Sequence, residues 1–185
     1  FGELSQPLSL WPGAHDLDFR AAGEMDVAAS ATTPYLEPGT TYLAIATGFL
    51  GGDEPAFQLV PVTEEFAGPP ADALVRLVHA SPDAGSVDVG PLVDEKVVAV
   101  DDYSGLDFGD SSPGPGTSLP LGQLTVGVAA AGDDTPVAVF DLEMAAGLRA
   151  YAVACGSRGG IGEAFRLVLV ITGEAWSTVE VMPVR

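Results

Sequence analysis

The sequence predicts an all-β fold: tandem immunoglobulin-like, Greek-key antiparallel β-sandwich modules, of which the first is incomplete. Three observations carry this. Short runs rich in Val and aromatics are punctuated by Gly, Pro and Asp, which is the strand signature. With Gly 23 and Pro 15, turns are abundant, and without asparagine they must be built from Gly, Pro and Asp. The chain also repeats itself.

Taken in order, Leu17 and Phe19 alternate with Asp16, Asp18 and Arg20, the pattern of a half-buried strand. Residues 41–47 and 56–62 follow, and Pro61 marks the latter as an edge or a strand end. Residues 74–80, where Arg76 interrupts an apolar run, 86–90 and 96–101 come next. The last group is 123–130, 137–143, 150–155 and 164–171. The one helix-like stretch runs from Leu142 to Ala146 and stops at Gly147. The proline-glycine stretch 111–116 reads as a turn or short linker.

The repeat is the most informative feature. Phe1-Gly2-Glu3 matches Phe108-Gly109-Asp110, and Gly13, Gly23, Gly39, Gly48 and Phe57 match Gly122, Gly132, Gly147, Gly156 and Phe165. Tyr42 is paired with Tyr151. Glycines mark turns and aromatics mark core positions, so one shared fold accounts for the match. Residues 73–107 have no counterpart in the first copy, which is short of two or three opening strands. We therefore expect a partial sandwich over 1–68, a Gly/Pro linker over 69–72, and a complete sandwich over 73–185. Residues 177–185 read either as the closing strand of the second copy or as an opening strand. A partial sandwich has an open edge. The missing strands then lie outside the sequence, or the chain's own C-terminus or a neighbouring subunit supplies them.

Composition removes several functions. Seven basic against 26 acidic residues give a formal charge of -19, which repels phosphate backbones and anionic lipid surfaces. Apolar runs reach about 8 residues, well short of the ~20 of a membrane helix. One cysteine and two histidines cannot build an internal disulfide or a zinc or iron–sulfur centre. Phe1 is followed by neither a basic region nor an apolar one, so we expect a processed or excised chain. The acidic, lysine-poor composition is compatible with a GC-rich genome or with adaptation to salt.

Val75-Arg-Leu-Val-His79-Ala-Ser81-Pro82-Asp83-Ala84-Gly-Ser-Val87-Asp88-Val89 resembles the opening of a bacterial secreted family, domain-of-unknown-function family 4397, marked by V-R-x-x-H-x-S-P-D-A-x-x-V-D-V. Later blocks agree in order: Phe108-Gly-Asp-Ser-Ser-Pro-Gly, with Pro115 in place of an aromatic, then Leu119-Pro-Leu-Gly122, then the stretch from Ala146 to Gly156. The resemblance covers 73–172 well and 1–66 as the back part of a second copy. It implies exported, cell-surface β-sandwiches, often in tandem, and it implies no activity.

Candidate chemistry is sparse. His79, Ser81, Asp83 and Asp88 could form a small catalytic or metal set. Pro82 instead presets a turn, with Asp83 bonding backbone amides and His79 tying the turn down, so a structural signature turn is the expectation. No G-x-S-x-G elbow appears, and neither His15 nor His79 has an evident serine partner. No cofactor is expected, since the acidic loops read as solvated; calcium is the ion they would best suit. The candidate carboxylates are Asp101 with Asp102, Asp133 with Asp134, Asp107 with Asp110, and Asp53 with Glu54, none at EF-hand spacing. Cys155 is read as a buried, inert thiol whose counterpart is Thr47. Trp11 and Trp176, with Phe66, could make a sugar-stacking platform.

The expectation is a non-enzymatic structural or adhesion module, extracellular or at the cell surface. Its partners would be copies of itself or other surface proteins, and it could form filaments by strand complementation. The alternative is a domain binding polysaccharide or calcium.

Overall fold

A computed structural model describes residues 2–51, 54–160 and 162–185. Two compact units emerge: an N-terminal unit, Ser5–Glu64, and a C-terminal unit comprising Glu65–Arg185 with the segment ending at Leu4. The described residues are strands and loops, with a single turn of 3-10 helix at Asp101–Tyr103.

The N-terminal unit has four strands: β1 (Asp16–Phe19), β2 (Ala29–Thr32), β3 (Tyr42–Thr47) and β4 (Gln58–Thr63). They form two antiparallel pairs, β1 with β2 and β3 with β4. Pro61 lies inside β4, a strand that among the described residues pairs only with β3, so the amide that proline lacks is not missed by a second neighbour.

The C-terminal unit contains β5 (Ala73–Ala80), β6 (Val87–Val93), β7 (Lys96–Val97), β8 (Thr117–Leu119), β9 (Gly122–Ala130), β10 (Ala138–Met144), β11 (Arg149–Cys155), β12 (Arg166–Ile171) and β13 (Ser177–Val181). One sheet has the order β10-β9-β6-β7 and the other β13-β12-β11-β5-β8. Their inner faces share one core. Val75 and Leu77 of β5, Ala152 and Ala154 of β11, and Leu167 and Leu169 of β12 meet Val87, Val89, Val126, Val128, Phe140 and Leu142 of the other sheet. Alternate residues of each strand face inward, as a two-sheet sandwich requires. The ladder is antiparallel except where β5 runs parallel to β11, so the expectation of a purely antiparallel sandwich is corrected there.

The strand registers reproduce the internal repeat. The pairs Asp16↔Thr32 and Phe19↔Ala29 of β1/β2 become Thr125↔Asp141 and Val128↔Ala138 of β9/β10. A cross-strand Thr–Asp bond survives with its residues exchanged. Thr32 donates to Asp16 at 2.7 Å, and Thr125 donates to Asp141 at 2.7 Å. Likewise Leu43↔Val62 becomes Tyr151↔Val170. Leu43, not Tyr42, therefore holds the place of Tyr151, and the Tyr42–Tyr151 pairing is off by one residue.

Other local readings change too. Leu142 to Ala146 is no helix: its first residues end β10, whose pairing with β9 overrides their helical propensity. The strand expected over 96–101 ends at Val97, although the chain stays beside β6 through Val98 N–H to Pro91 C=O and Val100 N–H to Val89 C=O, both 3.0 Å. Arg76, which interrupts the apolar run of β5, is itself buried, as are all eight residues of that strand. The 177–185 segment is the closing strand of its own unit. β13 pairs with β12, and Val184 and Arg185 continue along Val139 of β10. It therefore does not fill the first copy. The Gly/Pro stretch is held against Arg149, whose guanidinium donates to the carbonyls of Pro69 and Asp72, while Gly147 N–H donates to Ala71.

Candidate functional site

The turn after β5 carries the densest set of polar side chains. His79 is fully buried in β5. Its Nε2–H donates to Gly85 C=O at 2.7 Å, and its Nδ1 accepts the Ser81 amide at 3.4 Å. Those two bonds define a neutral imidazole, and burial lowers its pKa from the ordinary 6.5. Ser81, also fully buried, donates to Gly156 C=O at 2.7 Å and so ties the turn to the end of β11.

Two carboxylates clamp the loops. Asp83 accepts from Ser157 Oγ (2.7 Å), Arg158 N–H (2.9 Å) and Gly159 N–H (2.7 Å). Burial alone would raise its pKa, but these three donors hold it below the usual carboxylate value. Asp88, in β6, accepts from Ser104 Oγ (2.9 Å), Gly105 N–H (2.7 Å) and Gly132 N–H (2.8 Å). Burial opposes ionisation here as well, and the same kind of bonding outweighs it. Pro82 and Asp83 form the turn between β5 and β6. The segment thus joins His79, Ser81, Asp83 and Asp88 to loops up to 76 residues away in sequence.

Arg76 serves the other face of β5. Its guanidinium donates to Ser112 C=O at 3.0 Å and lies 5.9 Å from the Tyr151 ring centroid. Phe66 and Trp176 pack on the same ring, with centroids 5.0 and 6.0 Å away. Of the aromatics that the sequence grouped, Phe66 and Trp176 thus meet on Tyr151 of β11. Trp176 is half-buried there, whereas Trp11 belongs to the N-terminal unit and is 85 % exposed, so the two do not share a stacking face within one unit.

The acidic candidates are engaged in turns. Asp102 accepts from Thr117 (2.7 Å), Asp133 accepts from the Thr135 amide (2.9 Å), and Asp134 pairs with Lys96 (2.6 Å). Asp101 opens the 3-10 turn. Asp107 accepts from Ser86, and its amide donates to Asp110. Asp53 lies outside the described residues. Among the described residues, no three His, Cys, Asp or Glu side chains are grouped to hold a metal ion. His15 bonds the Trp11 carbonyl at 2.8 Å within its own unit. A cleft of about 390 Å³ in the C-terminal unit is lined by Val87, Val128, Phe165, Arg158 and Arg185 among others, and among the described residues by no Asp, Glu or His side chain. Cys155 is buried, and burial pushes its thiol up to about 11.

The segment that carries these ties is also one that a known family matches. Residues 1–90 match the family described as Domain of unknown function (DUF4397). That stretch holds the N-terminal unit, β5, the turn with His79, Ser81 and Asp83, and Asp88. The resemblance to that family is thereby shown over residues 1–90. Curated proteins and solved structures gave no match.

Proposed function

We propose that the protein is a non-enzymatic structural or adhesion module of the cell surface, built from tandem immunoglobulin-like sandwich copies and able to assemble through strand complementation. One observation supports this above others. The polar residues of the signature segment are spent on the unit's own loops: His79 on Gly85, Ser81 on Gly156, Asp83 on residues 157–159, and Asp88 on Ser104, Gly105 and Gly132. Side chains so bonded hold a scaffold and leave little for a substrate. The unfinished sheets of the N-terminal unit support the assembly part. Size-exclusion chromatography with light scattering, with negative-stain imaging of the largest species, tests it. Polymers or filaments are expected, and a clean monomer at all concentrations would remove self-assembly.

A binding role is the second reading. It is favoured by Trp176, half-buried against Tyr151 at the margin of an aromatic layer, a geometry suited to sugar stacking. Glycan-array binding lost on Trp176→Ala supports it. A calcium-dependent rise in melting temperature, lost on Asp133→Asn with Asp134→Asn, supports the calcium form.

A further inference from the structure

The two copies differ in what lies beside one strand. In the C-terminal unit β5 runs parallel to β11, from Arg149↔Leu74 to Cys155↔Ala80, and turns at Ser81-Pro82-Asp83 over the loop that follows β11. In the N-terminal unit β3 holds the place of β11, and among the described residues it pairs only with β4.

The loop that receives the turn is repeated. Gly156 has φ +84 and Gly48 φ +95, and a Cβ on either would stand 2.3 Å from a carbonyl oxygen, of Ala164 and Ala56 respectively. Both positions therefore require glycine. Ser157 N–H bonds Glu163 C=O, and Phe165 N–H bonds Ser157 C=O; Phe49 N–H to Pro55 C=O and Phe57 N–H to Phe49 C=O repeat the pair. The parallel bridge Ser157↔Ala164 recurs as Phe49↔Ala56. Gly48 thus carries the carbonyl that corresponds to the acceptor of Ser81. Leu50 and Gly51 follow in the places of Arg158 and Gly159, whose amides bond Asp83. The tips differ, with positive φ at Gly51 in one loop and Gly160 in the other, and Phe49 replaces the Ser157 hydroxyl.

The apolar face agrees. Ala152 and Ala154 are in the core, while Ala44 and Ala46, their counterparts, are exposed. Residues 8–10 correspond to β8, which exists by pairing with β5. Leu8 is 74 % exposed and Leu10 44 %.

We propose that the outer edge of β3 is the docking site for a polypeptide segment of β5–β6 chemistry, supplied from outside residues 1–185, which adds parallel to β3 and seats its Ser-Pro-Asp turn on the loop at Gly48. β5 of this chain is held between β11 and β8 and is buried throughout, so it is not the donor. Strand addition of this kind takes its affinity from main-chain bonds and its register from side-chain pockets. The inference rests on the strand-complementation part of the proposed function and names its recognition element.

The test titrates a fluorescent peptide of residues 73–93 into the full chain. Saturable binding and slowed amide exchange over 42–47 are expected. In a Cys155→Thr, Ala44→Cys chain, a peptide with Leu77→Cys forms the disulfide and one with Val78→Cys, facing the other side, does not. A peptide carrying Ser81→Ala and Asp83→Ala binds about tenfold more weakly. Absence of saturable binding overturns the inference, as does equal cross-linking of the two cysteine peptides. If the chain polymerises while the peptide neither binds nor competes, this inference fails and the assembly reading stands. If the peptide binds and the chain stays monomeric, the docking edge stands and self-assembly fails.

Discussion

The hairpins β3/β4 and β11/β12 have one register and one loop closure, and opposite fates in burial. β12 is flanked by β13 and β11 by β5, so from Ala150 to Cys155 every residue of β11 is buried. Among the described residues β3 and β4 pair only with each other, and in β3 only Leu43 is buried. Local sequence therefore sets strand, register and turn, while burial comes from neighbours far away in the chain. Most stability should follow burial rather than register.

The largest effect should come at the paired positions Tyr151 and Leu43. Tyr151 is fully buried between Phe66, Trp176 and Arg76, and Tyr151→Ala is expected to cost the C-terminal unit about 3–5 kcal/mol. Leu43→Ala should cost about 2 kcal/mol, confined to the amides of β1–β4. Hydrogen exchange resolved by segment checks this. Equal slowing across both units in the parent chain would break the comparison.

Next come the two loop glycines. Gly156→Ala forces a Cβ against Ala164 C=O at positive φ and should cost about 3 kcal/mol. Gly48→Ala meets the same obstacle at Ala56. Because fewer buried groups depend on that loop, the C-terminal melting transition should stay in place. A matching drop in that transition would show the two loops to be energetically linked.

Asp83 and Asp88 sharpen the contrast through pH, since counterparts of 73–107 are missing from the N-terminal unit. Their folded pKa values lie below the ordinary 3.8. The stability they contribute is complete above that value and is lost as pH falls through the lower folded values. His79 acts earlier. Its folded pKa is also depressed, so its share is complete above 6.5 and declines as pH falls below that. Denaturant melts at pH 7, 5 and 3 should show the C-terminal transition weakening in two stages, and Asp88→Ala, costing about 2 kcal/mol at pH 7, should flatten the second.

What could be read from sequence follows the same division. β1, β3–β6 and β9–β12 were legible because each carries its own alternation or apolar run. β2, Ala29–Thr32, was not: its residues are small or polar, and only pairing with β1 makes it a strand. β8 was hidden because Thr117–Leu119 takes strand form from β5. That β5 is buried on both faces was not legible, because its neighbours β8 and β11 lie far from it in sequence. At the candidate site the turn was legible from Pro82 and Asp83. The partners were not, since backbone amides at Gly105, Gly132, Arg158 and Gly159 carry no side-chain signature of donating to a distant carboxylate.

The smallest effect separates chemistry from packing at Cys155 and its counterpart Thr47. Cys155 pairs with Ala80 on one side and Arg166 on the other, inside the five-stranded sheet. Its burial favours the thiol over the thiolate and lifts the pKa to about 11. Because the folded value is raised above the ordinary 9.0, its contribution is complete below that pH and is lost as pH rises toward 11. Native protein at pH 8 should therefore react with a thiol reagent only as fast as the unit opens, and Cys155→Thr should cost under about 1 kcal/mol. Thr47→Cys, in a Cys155→Thr background, places a thiol at the same point of the repeat on a half-buried strand, and it should react within minutes. Comparable rates at the two positions would mean that β3 is as well covered in solution as β11, and the contrast between the copies would then fail.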